Sequence, residues 1–306
     1  VRRLEVGEGQ WVWSLEPYGG CELGCTFCPV RQGAGSVEEW VAFEREARPR
    51  GRVVSALQAA LGPAPGKGPA REPVRGTPAS PRRVVLGAGS EPWQPAEERQ
   101  RLTRALLETL LTLPPVDVQV HTRSSLIARD TDLLRALAQR GRVTVAFSLA
   151  SLDEKVNRLL EPRAPSALRR LSAAEALARA GLLVGVRLSP VLPATAPEEL
   201  DGLLARAAQA GARFAELGFF TPGPSERARL LERVGQASPD TALRFRKLLQ
   251  KAAQATPAHL AALQGAFTRG CETRGLVPLD SQPSLPPAPD VQGTRLPAQL
   301  PLFPSH

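Results

Sequence analysis

Cys21-Glu-Leu-Gly-Cys25-Thr-Phe-Cys28 is the stretch that decides how this chain is read. Three of the four cysteines fall within eight residues, spaced C-x3-C-x2-C. Thiolates are soft ligands and suit an iron–sulfur cluster or zinc. A structural zinc site closes with a fourth Cys or His nearby, and the next histidine, His121, lies far down the chain. A cubane cluster normally takes four cysteines. Three would leave one iron open, much as a catalytic metal keeps one position free of protein. An incomplete disulfide set is the remaining alternative.

Working outward, Trp11-Val-Trp-Ser-Leu-Glu-Pro-Tyr18 alternates as a strand does and would deliver the cysteine loop at its C-terminal end. On the other side, Ser36-Val-Glu-Glu39 is a capping-box pattern that predicts a helix carrying Trp40 and Phe43. Residues 62–82 are rich in Pro, Gly and Arg without periodicity, which predicts a flexible surface insertion. Val84-Val-Leu86 reads as a buried strand entering the glycine turn Gly87-Ala-Gly89, followed by Leu102, Leu106, Leu110 and Leu113 at helical spacing.

Further strands are expected at 116–121, 143–148, 182–188 and 212–219. Helices between them carry Leu133, Leu134 and Leu137, then a segment capped by Ser151, then Leu168, Leu171, Ala174 and Leu177 after Ser166, then residues 198–210. Strand and helix thus alternate six times. That pattern predicts an α/β fold with a parallel sheet and helices outside it: a partial (β/α)6 TIM-like barrel spanning 1–222. Such a barrel keeps its working residues at the C-terminal ends of its strands, where the cysteines, the glycine turn, Arg123, Ser148 and Arg187 all fall. Residues 223–279 are expected to form a small helical extension with Leu230, Leu231, Leu243, Phe245 and Leu248 as its core, and 280–306 a Pro-rich disordered tail.

The chain has 306 residues and a formal net charge of +9, nearly all of the cations being arginine. Excess positive charge favours polyanionic partners, although no dense basic run is present. No apolar run is long enough for a membrane span, and Val1-Arg2-Arg3 leads into mixed polar sequence rather than a leader. Clustered cysteines fit a reducing compartment, so the expected location is cytoplasmic.

The cysteine spacing, the preceding Pro17-Tyr18-Gly19-Gly20 and the internal Phe27 resemble the radical SAM superfamily. The resemblance implies two cofactors, a [4Fe–4S] cluster and S-adenosylmethionine (SAM). It also implies reductive cleavage of SAM to methionine and a 5′-deoxyadenosyl radical that abstracts hydrogen from a substrate, with a reducing electron donor of flavodoxin or ferredoxin type. Gly89-Ser-Glu-Pro-Trp-Gln-Pro95, Glu98-Arg-Gln-Arg-Leu-Thr-Arg104, Val120-His-Thr-Arg-Ser-Ser-Leu-Ile-Ala-Arg-Asp130 and Leu160-Glu-Pro-Arg-Ala-Pro-Ser166 narrow the likeness. They are similar to the spore photoproduct lyase-like group, related to DNA-repair photolyases.

By that resemblance Cys21, Cys25 and Cys28 ligate the cluster, and Phe27 packs near the adenine. The turn of Gly87 and Gly89 lies where SAM's amino group is held, and Glu91 stands where relatives often carry Asp. Arg123 faces the SAM carboxylate, where lysine is usual, and Ser148 contacts SAM. The lyase returns hydrogen from a cysteine after the cluster motif; here none occurs between Cys28 and Cys271, and Tyr18 is the only tyrosine. Cys271 is the remaining hydrogen-donor candidate, and repair of the spore photoproduct itself is not expected. The implied activity is a lyase-like radical reaction, with DNA or RNA in repair as the substrate class. The alternatives are a radical SAM enzyme for another substrate, or a cluster-bearing nucleic-acid-binding or sensor protein without turnover. Near the C-terminus, Gln299-Leu-Pro-Leu-Phe303 resembles sliding-clamp-docking peptides, with Leu300, Leu302 and Phe303 as apolar anchors and Gln299 setting register.

Overall fold

The computed structural model describes residues 1–5, 11–28, 37–62, 82–191, 197–219 and 256–279, with a few isolated positions between 227 and 250. Ser36, the insertion at 63–81, Leu230, Phe245, Leu248 and the tail with Gln299 to Phe303 lie outside the described residues.

The strands are β1 (Arg2–Glu5), β2 (Trp11–Leu15), β3 (Tyr18–Gly19), β4 (Arg48–Pro49), β5 (Arg83–Leu86), β6 (Asp117–Thr122), β7 (Val143–Leu149), β8 (Leu183–Val191), β9 (Phe214–Phe219) and β10 (Val277–Leu279). The helices are α1 (Val37–Arg45), α2 (Val53–Leu61), α3 (Glu97–Gln100), α4 (Leu102–Thr112), α5 (Thr131–Ala138), α6 (Glu154–Leu160), α7 (Ala167–Arg179), α8 (Pro197–Gln209) and α9 (Pro257–Thr273). One eight-stranded sheet runs in the order β1-β2-β5-β6-β7-β8-β9-β10, and β3 pairs separately with β4. Within the eight-stranded sheet every pairing from β2 to β10 is parallel and β1 joins antiparallel; the separate β3–β4 pair is antiparallel.

The six expected strands are therefore six consecutive parallel neighbours. β1 and β10 extend the sheet at either edge, beyond what the alternation predicted. Both are short, and Pro278 in β10 fits an edge strand, where a missing N–H is harmless.

The two faces of the sheet differ. Val118, Val120, Phe147, Val186 and Leu217 join one apolar core with the helices. The opposite face carries Gln119, His121, Thr144, Ser148 and Glu216, all buried. Its small apolar cluster, Ala146, Phe214 and Leu279 against Leu183, is drawn from strands alone. Polar groups stay buried on such a face when the sheet curls and its strands shelter one another, which is the interior of an incomplete barrel.

Helix details differ from the expectation in four places. Arg101 adopts φ 51° and breaks the Glu98–Arg104 phrase, expected to be helical throughout, into α3 and α4. The buried carboxylate of Glu97 fixes this kink by accepting from the amides of Thr103 (2.9 Å) and Arg104 (3.2 Å). The cap of α6 is Asp153, not Ser151, whose hydroxyl instead accepts from the Asp153 amide. Leu168 faces solvent, because the buried stripe of α7 runs through Ala167, Leu171, Ala174 and Leu177. Leu243 is exposed as well, beside exposed Arg246, Lys247 and Gln250. α9 packs on α8 and β9, and its Leu263, Phe267 and Cys271 belong to the main core.

Gly87 ends β5 at φ +89°, and a Cβ there would overlap the carbonyl oxygen of His121 on the neighbouring strand. Gly181 has a similar φ of +84° with nothing within 4 Å. Gly181→Ala is expected to cost about 1–2 kcal/mol, the left-handed penalty alone. Gly87→Ala is expected to cost about 2–5 kcal/mol, because overlap adds to that penalty. Urea unfolding of the two variants measures the difference.

Candidate active site

The cysteine loop leaves β3 and is held from three sides. The Cys21 amide donates to the Phe43 carbonyl near the end of α1 (2.8 Å). The Glu22 amide donates to Gln94 Oε1 (2.8 Å), while Glu22 Oε2 accepts from the Ala96 amide (2.7 Å), tying the loop to the turn after β5. The Thr26 amide donates to the Leu160 carbonyl (2.8 Å), and the Arg163 amide to the Leu23 carbonyl (3.3 Å). Gly24, at φ +65°, lies so close to the Arg163 guanidinium that a side chain would collide with it. The Leu160-Glu-Pro-Arg163 phrase thus has a physical role: it clamps the loop.

All three cysteines are unbridged, and each residue is partly buried. They are near enough to feel one another: Cys21 and Cys28 both act on Cys25, and Cys28 acts on Cys21. Burial pushes the Cys21 thiol up to about 12 and that of Cys25 up as well, with Arg123 pulling Cys25 back. Cationic iron would reverse that balance and hold them as thiolates. Among the described residues no three Cys, His, Asp or Glu side chains converge on a single-ion site. A cubane needs its ligands spread about separate iron corners, and three neighbouring soft donors on one short loop fit that requirement.

Arg123 follows β6 and stacks its guanidinium 5.1 Å from the Phe27 ring centroid. Its Nε donates to Glu161 Oε1 (2.9 Å) and Nη2 to the Ser189 carbonyl (3.1 Å). Burial alone would lower its pKa, but Glu161, Cys25 and Glu91 hold it above the ordinary value. Its hydrogen bonds among the described residues run through Nε and Nη2. Glu161 also accepts from the wholly buried Arg170, whose Nη1 donates to the Ser148 carbonyl (2.7 Å). One buried network therefore joins the ends of β6 and β7 to the cysteine loop.

Glu91 is placed as a brace. Its oxygens accept from the Thr122 hydroxyl (2.6 Å) and the amides of Trp93 (3.1 Å) and Arg123 (2.7 Å). Burial raises its pKa despite those bonds. The amides of Gly89 (2.8 Å) and Ser90 (2.9 Å) already donate to Glu16. The glycine turn is thus fastened to the residue after β2, while Gly87 brings backbone against β6. Ser148 lies buried at the end of β7, next in register to Arg187.

The structure brings together Cys21, Cys25, Cys28, Phe27, Glu91 and Arg123. It does not bring Cys271 to them. That thiol is wholly buried in α9, its carbonyl bonded to Leu276 just before β10, which pairs with the start of β9. It therefore sits at the N-terminal end of the sheet, opposite the cysteine loop. Tyr18 is also buried, donating to Glu97. A groove of about 660 Å³ lined by Glu175, Arg179, Gln209 and Arg213 lies at that far end too, away from the cysteines.

Sequence reading missed Glu16, Glu161, Arg170 and Glu216 as site residues. The signal for Glu216 was an acid inside the apolar run of β9. Burial pushes its carboxyl up to about 7, with Arg187 pulling it partly back. Folded Glu216 thus keeps a proton that the unfolded chain releases near the ordinary 4.5. Between those values the native state binds more protons, so the stabilising contribution is complete below the unfolded value and is lost as pH rises through about 7. Glu216→Gln is expected to flatten that fall, on the order of 3 kcal/mol over the window. Paired urea titrations on either side of it measure the effect.

A model of the radical SAM superfamily matches residues 15–207. A spore photoproduct lyase mutant solved with AdoMet and the dinucleoside spore photoproduct superposes with a TM-score of 0.56, at 15% identity, over 88% of this chain and 75% of that one. Streptococcus suis SuiB bound to S-adenosylmethionine gives 0.52 at 16% identity, over 88% and 51%. An uncharacterized protein of Mycobacterium tuberculosis is 31% identical over 178 residues, 58% of this chain and 52% of its own length. An uncharacterized protein of Acidianus two-tailed virus is 33% identical over 112 residues, 36% of this chain and 35% of its own. The chain thus spans about half or less of the length of these curated relatives. It belongs to the radical SAM superfamily, whose members use a [4Fe–4S] cluster and SAM.

Proposed function

We propose that this protein is a radical SAM enzyme acting on nucleic acid, in a repair or modification role. The observation that carries the enzymatic reading is the meeting of three thiols, the Phe27-stacked Arg123 and the glycine turn at the C-terminal ends of parallel strands. Cys21, Cys25 and Cys28 would hold the cluster, and Arg123 would engage the SAM carboxylate. When bound, the two cofactors supply reductive cleavage of SAM and hydrogen-atom abstraction. The protein's own part is to bind, orient and shelter: Glu161 and Arg170 fix Arg123, and the strand-lined interior limits water.

Support for the nucleic-acid substrate comes from the +9 charge, from the phrases shared with the lyase-like group, and from the lyase structure that holds a dinucleoside lesion. Since Cys271 lies at the far end of the sheet, the hydrogen return of the lyase does not transfer to this chain. A peptide substrate is the second reading, favoured by the likeness to SuiB solved with its precursor peptide. For the reductant we favour a flavodoxin- or ferredoxin-type donor. No helix among the described residues is long and apolar enough to cross a membrane, and we place the reaction in the cytoplasm.

Reconstituted protein incubated with SAM, reductant and deuterated DNA or RNA tests this. Deuterium recovered in 5′-deoxyadenosine is the expected result. Unlabelled 5′-deoxyadenosine would point to another substrate, and none at all to a cluster-bearing binding protein.

A further inference from the structure

Arginine gathers on the surface beside the cysteine loop. Arg45 ends α1, Arg48 lies in β4, and Arg50 and Arg52 lead from β4 into α2; all four are exposed. In sequence they are interleaved with Glu46, Pro49 and Gly51 and form no run. Folding brings them to the loop because β4 pairs with β3, Arg48 opposite Gly19 and Pro49 opposite Tyr18. The Arg50 amide donates to the Pro17 carbonyl (2.9 Å), and its Nε lies 3.8 Å from where a Cβ on Gly19 would stand. Gly20 packs so closely on the carbonyl oxygens of Phe43 and Glu46 that a Cβ would overlap both.

Between Arg45 and Arg52 the one acid is Glu46, which pairs with Arg48. Glu44 is turned inward and meets Arg163. The Arg163 side chain is 47% exposed where it lies against Gly24, so a fifth arginine extends the patch across the loop. Glu38 and Glu39 sit at the other end of α1, about 10 Å away along its axis. Gly19 and Cys21 are two residues apart, so their Cα atoms are separated by at most about 7 Å. A partner resting on Arg48 and Arg50 therefore meets the chain one short backbone step from Cys21.

We infer that this arginine surface docks an acidic one-electron carrier protein, which delivers its electron to the cluster beside Cys21. The carrier is oxidised by one electron and the cluster reduced by one; no atom is transferred. The inference rests on the cluster reading above and gives its reductant a place on the chain. Electron-transfer encounters bury little surface, below about 1,200 Å², and complementary charge steers them, so a short ribbon of exposed arginines suits them. A nucleic-acid strand is the other polyanion to weigh. Glu46, exposed among the arginines, would repel a phosphate backbone, whereas a protein surface of mixed charge can answer it. The ribbon also touches the loop at Gly19, Gly20 and Cys21, while Arg123 and the strand ends meet it at Cys25 and Phe27.

Arg45→Gln/Arg50→Gln tests the surface. Arg179→Gln/Arg206→Gln, exposed at the far end of the sheet, is the charge-matched control. The probe is a recombinant flavodoxin, whose association with the reconstituted full chain is followed by stopped-flow flavin fluorescence. At low salt the loop variant is expected to associate about tenfold more slowly than wild type, and the control to match wild type. The gap should close at about 1 M salt, where screening acts within about 3 Å. Product formation should fall in parallel with flavodoxin as reductant and hold at the wild-type rate with dithionite. Arg45→Gln alone, at an exposed helix end, serves if the double variant does not fold. Equal association of loop variant and wild type, no association of wild type, or loss of dithionite-driven product would each overturn the inference. So would weakened binding of single-stranded DNA with flavodoxin association unchanged. If neither reductant yields 5′-deoxyadenosine in wild type, the enzymatic reading fails, and the association rates still decide this one.

Discussion

Alanine at any one of Cys21, Cys25 or Cys28 is expected to strip the cluster. Anaerobically reconstituted wild-type protein should hold about four iron ions per chain, the content of one cubane. Each variant should fall to background iron and form no 5′-deoxyadenosine. Cys271→Ala should retain both, since that thiol lies in the apolar core at the other end of the sheet. The four variants together separate ligands from a bystander. A zinc or disulfide site would give wild-type protein without stoichiometric iron. Iron and sulfide assays with chromatography of the nucleoside product measure both effects.

The second large effect is expected at Glu161. Its carboxylate is wholly buried between Arg123 and Arg170, and Arg170 is itself only 1% exposed. Removing one member of a buried pair leaves an uncompensated charge and costs about 3–5 kcal/mol. Glu161→Leu should therefore shift the urea midpoint strongly downward, and SAM affinity should fall with it because Arg123 loses its anchor. Pairing that change with Arg170→Met removes the stranded charge and should recover much of the stability. SAM affinity should stay low in the double variant, because Arg123 still lacks Glu161. Recovery of both together would mean that Glu161 matters to folding alone.

The central strands were legible because each is a short apolar run followed by a turn and a helix start, and that alternation admits a parallel sheet with helices outside. The superfamily was legible from the cysteine spacing with its flanking Pro17-Tyr-Gly-Gly20 and Phe27. The edges were not: Arg2–Glu5 and Val277–Leu279 are too short and mixed to show a period. Nor was the break at Arg101, where local helical preference yields to Glu97 capping the next turn from within the fold. Site residues that act through tertiary bonds were hidden for the same reason. Glu16 reads as an ordinary acid before a proline until its carboxylate is seen to hold the amides of Gly89 and Ser90. Arg170 reads as a solvated helix residue until the polar ends of β7 and α6 require a buried cation. Glu216 shows how a period-two pattern can mislead: an inward-pointing acid on a curled sheet looks outward if the sheet is imagined flat.

The most direct test is the electron paramagnetic resonance spectrum of the reduced, reconstituted protein before and after SAM is added. If Cys21, Cys25 and Cys28 are the protein ligands, one iron would be left to bind SAM, and the spectrum of a four-iron cluster should change on addition. A spectrum indifferent to SAM, or a chain that carries a single metal ion in place of a cluster, would contradict the account.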